Sequence, residues 1–143
     1  MKLKINEVLQ KVSNAKTKAE KIKLLQTHNS PALRAILIAN FNESIVSDMP
    51  EGPVPYADDK YEEADRTNLQ VEYKKLYVFF KGGAPAMSRM KKESMFIQML
   101  ESLSPGEAEV ITLVMDKQLG KRWKITQQCV AEAFPQILWN KRA

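Results

Sequence analysis

The stretch Ser102–Pro135, SLSPGEAEVITLVMDKQLGKRWKITQQCVAEAFP, decides the fold. Ser104, Pro105 and Glu107 read as a capping box: the serine hydroxyl accepts from the Glu107 N–H, that carboxylate reaches back, and proline suits the first helical position. Ala108, Ile111, Val114 and Met115 follow at helical spacing, and Gly120 is the expected stop. Thr126 then caps a second, shorter helix, with Ile125 stapled onto Val130 and with Val130, Ala133 and Phe134 facing inward. Between the two helices lie Lys121, Arg122, Trp123 and Lys124, a cationic turn aimed at a helix N-terminus, where phosphate binds well.

The same periodicity runs outward from this stretch. Ile5, Val8, Leu9 and Val12 form one stripe, and Ile22, Leu24 and Leu25 a second after a turn at Ser13 and Asn14. Ser30 and Pro31 open a third helix carrying Leu33, Ile36, Leu37 and Asn40. Further on, Leu69, Tyr73, Leu76, Tyr77 and Phe80 predict a helix over 68–80 ended by Gly82 and Gly83. Ser88 starts another, lined by Met95, Phe96, Met99 and Leu100. Residues 42–66 break the pattern with Pro50, Pro53 and Pro55, then with five acids between Asp58 and Asp65. The expectation is all-α: a single compact domain, 1–143, of about seven helices. A first helical half (1–41) and a second (67–138) flank a long, acidic, proline-containing central loop (42–66).

Composition narrows the function classes. The chain has 143 residues and a formal net charge of +5. Segment 1–41 carries eight Lys and Arg against two acids, 42–65 one against eight, 66–98 seven against two, and 99–143 six against five. Two basic blocks around an acidic one suit a polyanion-binding face, and equally suit ordinary solvated helix surfaces. The single cysteine, Cys129, fits a small buried side chain and a reducing, cytoplasmic setting. No apolar run approaches the roughly 18 residues of a membrane span.

Enzyme chemistry finds little to stand on. His28, the only histidine, sits in a turn before a helix cap. Asp58, Asp59, Glu62 and Glu63 share a helical spacing that could be drawn as a metal cluster, but no His or Cys accompanies them, and solvated acid is the simpler reading. There is no phosphate-loop or dinucleotide fingerprint. The expectation is a non-enzymatic protein with no cofactor, no metal, no small-molecule substrate and no membrane contact.

An apolar helix ending near a Gln118-Leu119 pair, a glycine-containing turn, and a short helix closing on Phe134-Pro135 resemble the end of the N-terminal DNA-binding domain of ATP-dependent DNA ligases, the T-even bacteriophage type in particular. Leu3–Leu9, Ser13–Lys18 and Leu33–Ile36 match the same order of segments. The K-x-D-G element that carries AMP in ligases is absent, so the likeness is to the DNA-binding module standing alone. The resemblance implies a bacteriophage protein gripping duplex DNA with little sequence specificity through helix-connecting turns. The matching positions are Lys16, Thr17 and Lys18; Lys81, Gly82 and Gly83; and Lys121, Arg122, Lys124, Thr126 and Gln127. Arg89, with Lys91 and Lys92, either extends that patch or covers the outside of its helix. Alternate turns of an antiparallel helix array face one side, so these turns are expected to form one cationic ledge.

The chain departs from the ligase pattern in its acidic loop. That leaves a second reading open, a protein-binding adaptor or inhibitor of a replication or transcription component, using Asp58, Asp59, Glu62, Glu63 and an exposed Trp123. Trp139 is expected to anchor the tail, with Lys141 and Arg142 adding charge to it.

Overall fold

The computed structural model describes residues 3–49, 55–57 and 59–137. Pro50, Pro53, Asp58, Trp139, Lys141 and Arg142 lie outside them. The described residues form an all-α fold, with α1 (Ile5–Asn14), α2 (Lys18–Thr27), α3 (Pro31–Phe41), α4 (Leu69–Glu72), α5 (Arg89–Ser102), α6 (Pro105–Met115), α7 (Leu119–Trp123) and α8 (Gln127–Ala133). Among the described residues no helix is long and apolar enough to cross a membrane.

Helix starts follow local hydrogen bonding. The hydroxyls of Thr17, Ser30, Ser88 and Thr126 accept from the backbone N–H groups of Glu20, Leu33, Lys91 and Cys129. Each satisfies a donor that the first turn leaves orphaned. The apolar stripes meet in one core, in which Ile5, Leu9, Leu25, Leu33, Ile36, Leu37, Leu69 and Leu100 are almost fully buried. α1 packs on α2, α6 and α7, α2 on α8, and α3 on α4 and α6.

Three expectations need correction. The segment predicted as one helix over 68–80 is a single α-turn, α4, continued as a 3-10 helix over Tyr73–Phe79. The tighter winding buries Leu76, Val78 and Phe79 while leaving Tyr77 exposed. Second, α6 ends at Met115, and Gly120 lies inside the extra helix α7. A Cβ at Gly120 would lie 2.5 Å from the Ile125 carbonyl oxygen and against the Phe41 ring, so glycine is needed there for close approach.

The third correction concerns the capping box. Ser104 precedes α6 as foreseen, but its hydroxyl makes no cap hydrogen bond. Glu107 turns inward and is fully buried. One carboxylate oxygen accepts from the Ile5 N–H at 3.1 Å and the other from the Leu69 N–H at 3.2 Å. A single side chain thus caps the first turns of α1 and α4 from a third helix, joining sequence segments far apart. Burial pushes its pKa up from the ordinary 4.5, against the pull of the two N–H donors.

Candidate nucleic-acid interface

The α1–α2 turn and the α7–α8 turn form one corner. Lys21 joins them: its ammonium donates to the Val12 carbonyl at the end of α1 and to the Lys124 carbonyl, at 3.3 and 3.1 Å. The two turns are held side by side by this bridge and by the packing of α2 on α8. Lys16, Lys18, Lys121 and Lys124 are all exposed there or on the adjoining α7. Lys124 is left-handed, φ 54°, closing α7 before Ile125 enters the core. Two carboxylates temper the corner: Glu132 pairs with Lys18, and Glu20 accepts from the Thr17 hydroxyl. Thr126 spends its hydroxyl on α8, and Gln127 is exposed beside it.

Arg122 departs from this group. Its Nε lies 3.1 Å from a Glu109 carboxylate oxygen and its guanidinium sits 4.6 Å from the centre of the Trp123 ring. Trp123 is 2% exposed, with its indole N–H donating to Gln10. The expectation of an exposed Trp123 is therefore wrong. The ring belongs to the α1–α7 contact, and the adaptor reading loses its aromatic contact.

The third basic turn lies beside a different feature. Lys81 and Arg89 line a groove of about 830 Å³ together with Val46, Asp48, Met49 and residues 115–118. Gly82 has φ 86°, and a Cβ at Gly83 would lie 1.8 Å from the Tyr77 carbonyl oxygen, so both glycines are fixed by the turn itself. Lys92 is buried, 2.9 Å from a carboxylate oxygen of Asp48, which also faces Arg89 at 3.5 Å. The Lys92 hydrogen bond holds the Asp48 carboxyl below its usual pKa, with Arg89 and Lys81 adding to the effect. Lys92 therefore anchors residue 48 to α5 and does not extend the exposed patch. Lys21, one turn into α2, ties two of the three expected basic turns to each other; the third belongs to the groove.

Described residues of the acidic loop are tied to the helices at two points. Lys4 and Arg66 approach Glu63 at 3.0 and 3.9 Å, while Glu101 receives Lys60 at 3.2 Å and the Ala57 N–H at 3.1 Å. Asp59 and Glu62 are exposed.

Sequence reading missed Lys117. It is left-handed, φ 54°, and its ammonium donates to the carbonyls of Ala39, Asn40 and Asn42 at 2.9, 3.5 and 3.0 Å, closing the C-terminus of α3. Burial lowers its pKa from 10.5. Asn40 returns the contact by accepting from the Leu119 N–H at 3.1 Å. Lysine in a left-handed turn carries no sequence signal, since glycine or asparagine usually marks that conformation.

Compared with known proteins, residues 8–121 match the model of one family, described as a family of unknown function (DUF6433). No curated protein and no solved structure matches.

Proposed function

The chain belongs to the DUF6433 family, and for this member we propose non-enzymatic binding of duplex DNA, through the phosphate backbone and with little sequence specificity. The corner of the α1–α2 and α7–α8 turns is the contact surface. Lys16, Lys18, Lys121 and Lys124 meet the phosphates, with Gln127 beside them.

The observation that carries this reading is the Lys21 bridge between Val12 and Lys124. It makes two remote basic turns a single preorganised surface, so their cations act on one stretch of backbone without paying to be brought together. The ligase likeness supports the same turns and rests on the sequence segments alone. Glu132 and Glu20 reduce the net charge of the corner, which favours weak, salt-sensitive attraction over tight binding. Arg122, held by Glu109, and the groove residues Lys81 and Arg89 stand outside the central contact.

Fluorescence anisotropy with a short labelled duplex tests the proposal. With about four phosphates neutralised, log affinity should fall with log salt at a slope of about −3.6. Changing Lys16, Lys121 and Lys124 together to Ala should weaken binding about a hundredfold on every duplex sequence and flatten that slope to about −0.9. Absence of binding at low salt would remove the reading; unchanged affinity of the triple variant would move the surface elsewhere.

A further inference from the structure

Residues 46–48 run extended beside 79–81. The Asp48 N–H donates to Phe79 and the Lys81 N–H to Val46, both at 2.8 Å, with Ser47 opposite Phe80 in an antiparallel bridge. In that pattern Ser47 and Phe80 are the pair that exchanges no hydrogen bonds, so the N–H and C=O of each point outward, away from the other. Phe80 satisfies both groups within its own turn, donating to Tyr77 and accepting from Gly83. The Ser47 groups face away from Phe80, and Ser47 itself lines the groove together with residues 115–118.

We propose that this groove takes an extended peptide segment, which adds to the backbone edge at Ser47, seats an apolar side chain on Met49 and Met115, and places a carboxylate at Lys81. This goes beyond the DNA reading and uses a different surface.

The edge is rigid before any partner arrives. Lys92 and Arg89 fix Asp48 from α5, and the Ser47 hydroxyl accepts from the Met49 N–H at 3.0 Å, turning Met49 into the core. A fixed edge lowers the ordering cost of strand addition, in which main-chain bonds give affinity and alternate side chains give specificity. An added strand alternates its side chains, one toward the methionine floor and the next away from it. Charge sets the register. The Lys117 ammonium is spent on α3 carbonyls, and Lys92 and Arg89 are both turned onto Asp48, which leaves Lys81 as the attractive rim and exposed Asp116 as the repulsive one. Acidic side chains therefore belong at the Lys81 end.

The probe is an acetylated hexapeptide of alternating glutamate and valine, titrated into the full chain while backbone amide resonances are followed. The Ser47 amide should shift and gain protection from hydrogen exchange. The lysine–valine counterpart should bind at least about fivefold more weakly, and N-methylation along the pairing edge should cost about fivefold for each backbone bond removed. Ser47→Pro, which deletes the outward donor, should lose the same factor, and the N-methylated peptide gives the answer should that variant fail to fold. No movement at Ser47, equal binding of the N-methylated peptide, or the same amides moving with a short DNA duplex would each overturn the proposal. Loss of duplex binding at the corner would leave these readouts untouched.

Discussion

Lys117 and Lys124 lie seven residues apart on either side of α7 and adopt the same left-handed backbone, φ 54°. One turns inward and closes a helix; the other stays exposed. Charge in this chain thus has two occupations, joining helix ends and facing solvent at a corner, and residue type does not distinguish them. Glu107, Lys117, and Asp48 with Lys92 belong to the first class. Lys16, Lys121 and Lys124 belong to the second.

The inward class should break most severely at Glu107. Glu107→Ala leaves the Ile5 and Leu69 N–H groups buried without an acceptor, which should cost about 3 kcal/mol in urea denaturation. Glu107→Gln keeps one acceptor oxygen and should cost about half as much. A loss below about 0.5 kcal/mol for the alanine variant, the level of an ordinary surface change, would place Glu107 with the outward charges.

Acid should sharpen the same point. Because burial raises the Glu107 pKa, the native state holds that proton more tightly than the unfolded chain. The stability of wild type relative to Glu107→Gln should therefore rise as pH falls from the folded pKa toward 4.5, and level off below it. Asp48, Glu63 and Glu101 have lowered pKa values and act in the opposite sense, losing their contribution as pH falls. Comparing the two proteins across the acid range cancels those groups and isolates Glu107. A constant difference would contradict the raised pKa.

What the sequence made legible follows this division. Three caps, at Ser30, Ser88 and Thr126, depend on a side chain and a backbone N–H three residues on, and all three fall where helices begin. The core stripes of α1 and α3 depend only on helical spacing, and they are buried. The Ser104 and Glu107 pair has the same local pattern as a capping box, but the carboxylate is claimed by α1 and α4, partners that adjacency in sequence cannot reveal. Trp123 was misplaced for a related reason: three basic neighbours, Lys121, Arg122 and Lys124, suggested an exposed turn, whereas Gln10 and the core receive its ring. Of the candidate site, the basic turns were legible as composition. Their pairing through Lys21 was not, because it depends on how α1 and α2 pack beside α7 and α8.

Lys117 provides the next test. Lys117→Ala removes the ammonium from three carbonyls while keeping the unfavourable left-handed backbone, and should destabilise by about 2 kcal/mol. Lys117→Gly removes the same ammonium but relieves the backbone, so its net loss should be about 1 kcal/mol. The gap between the two variants measures the strain, and the remainder measures the closure of α3. Equal stability of wild type and both variants would dissolve the inward class at this turn.

The smallest effect is expected at Lys124, and its sign is the informative part. Its backbone angle is that of Lys117, yet its side chain is exposed and only its backbone is used, the N–H donating to the Gly120 carbonyl and the carbonyl accepting from Lys21. Lys124→Gly keeps that carbonyl, relieves the left-handed conformation, and gives up some unfolded-chain restriction, so it should stabilise by about 0.5 kcal/mol. On the proposed DNA reading the same change deletes one phosphate contact and should lower the salt slope by about 0.9. A more stable protein that binds duplex more weakly would separate the two occupations of charge in one substitution. Destabilisation by an amount like that of Lys117→Gly would instead mean that the Lys124 ammonium, too, helps to hold the fold.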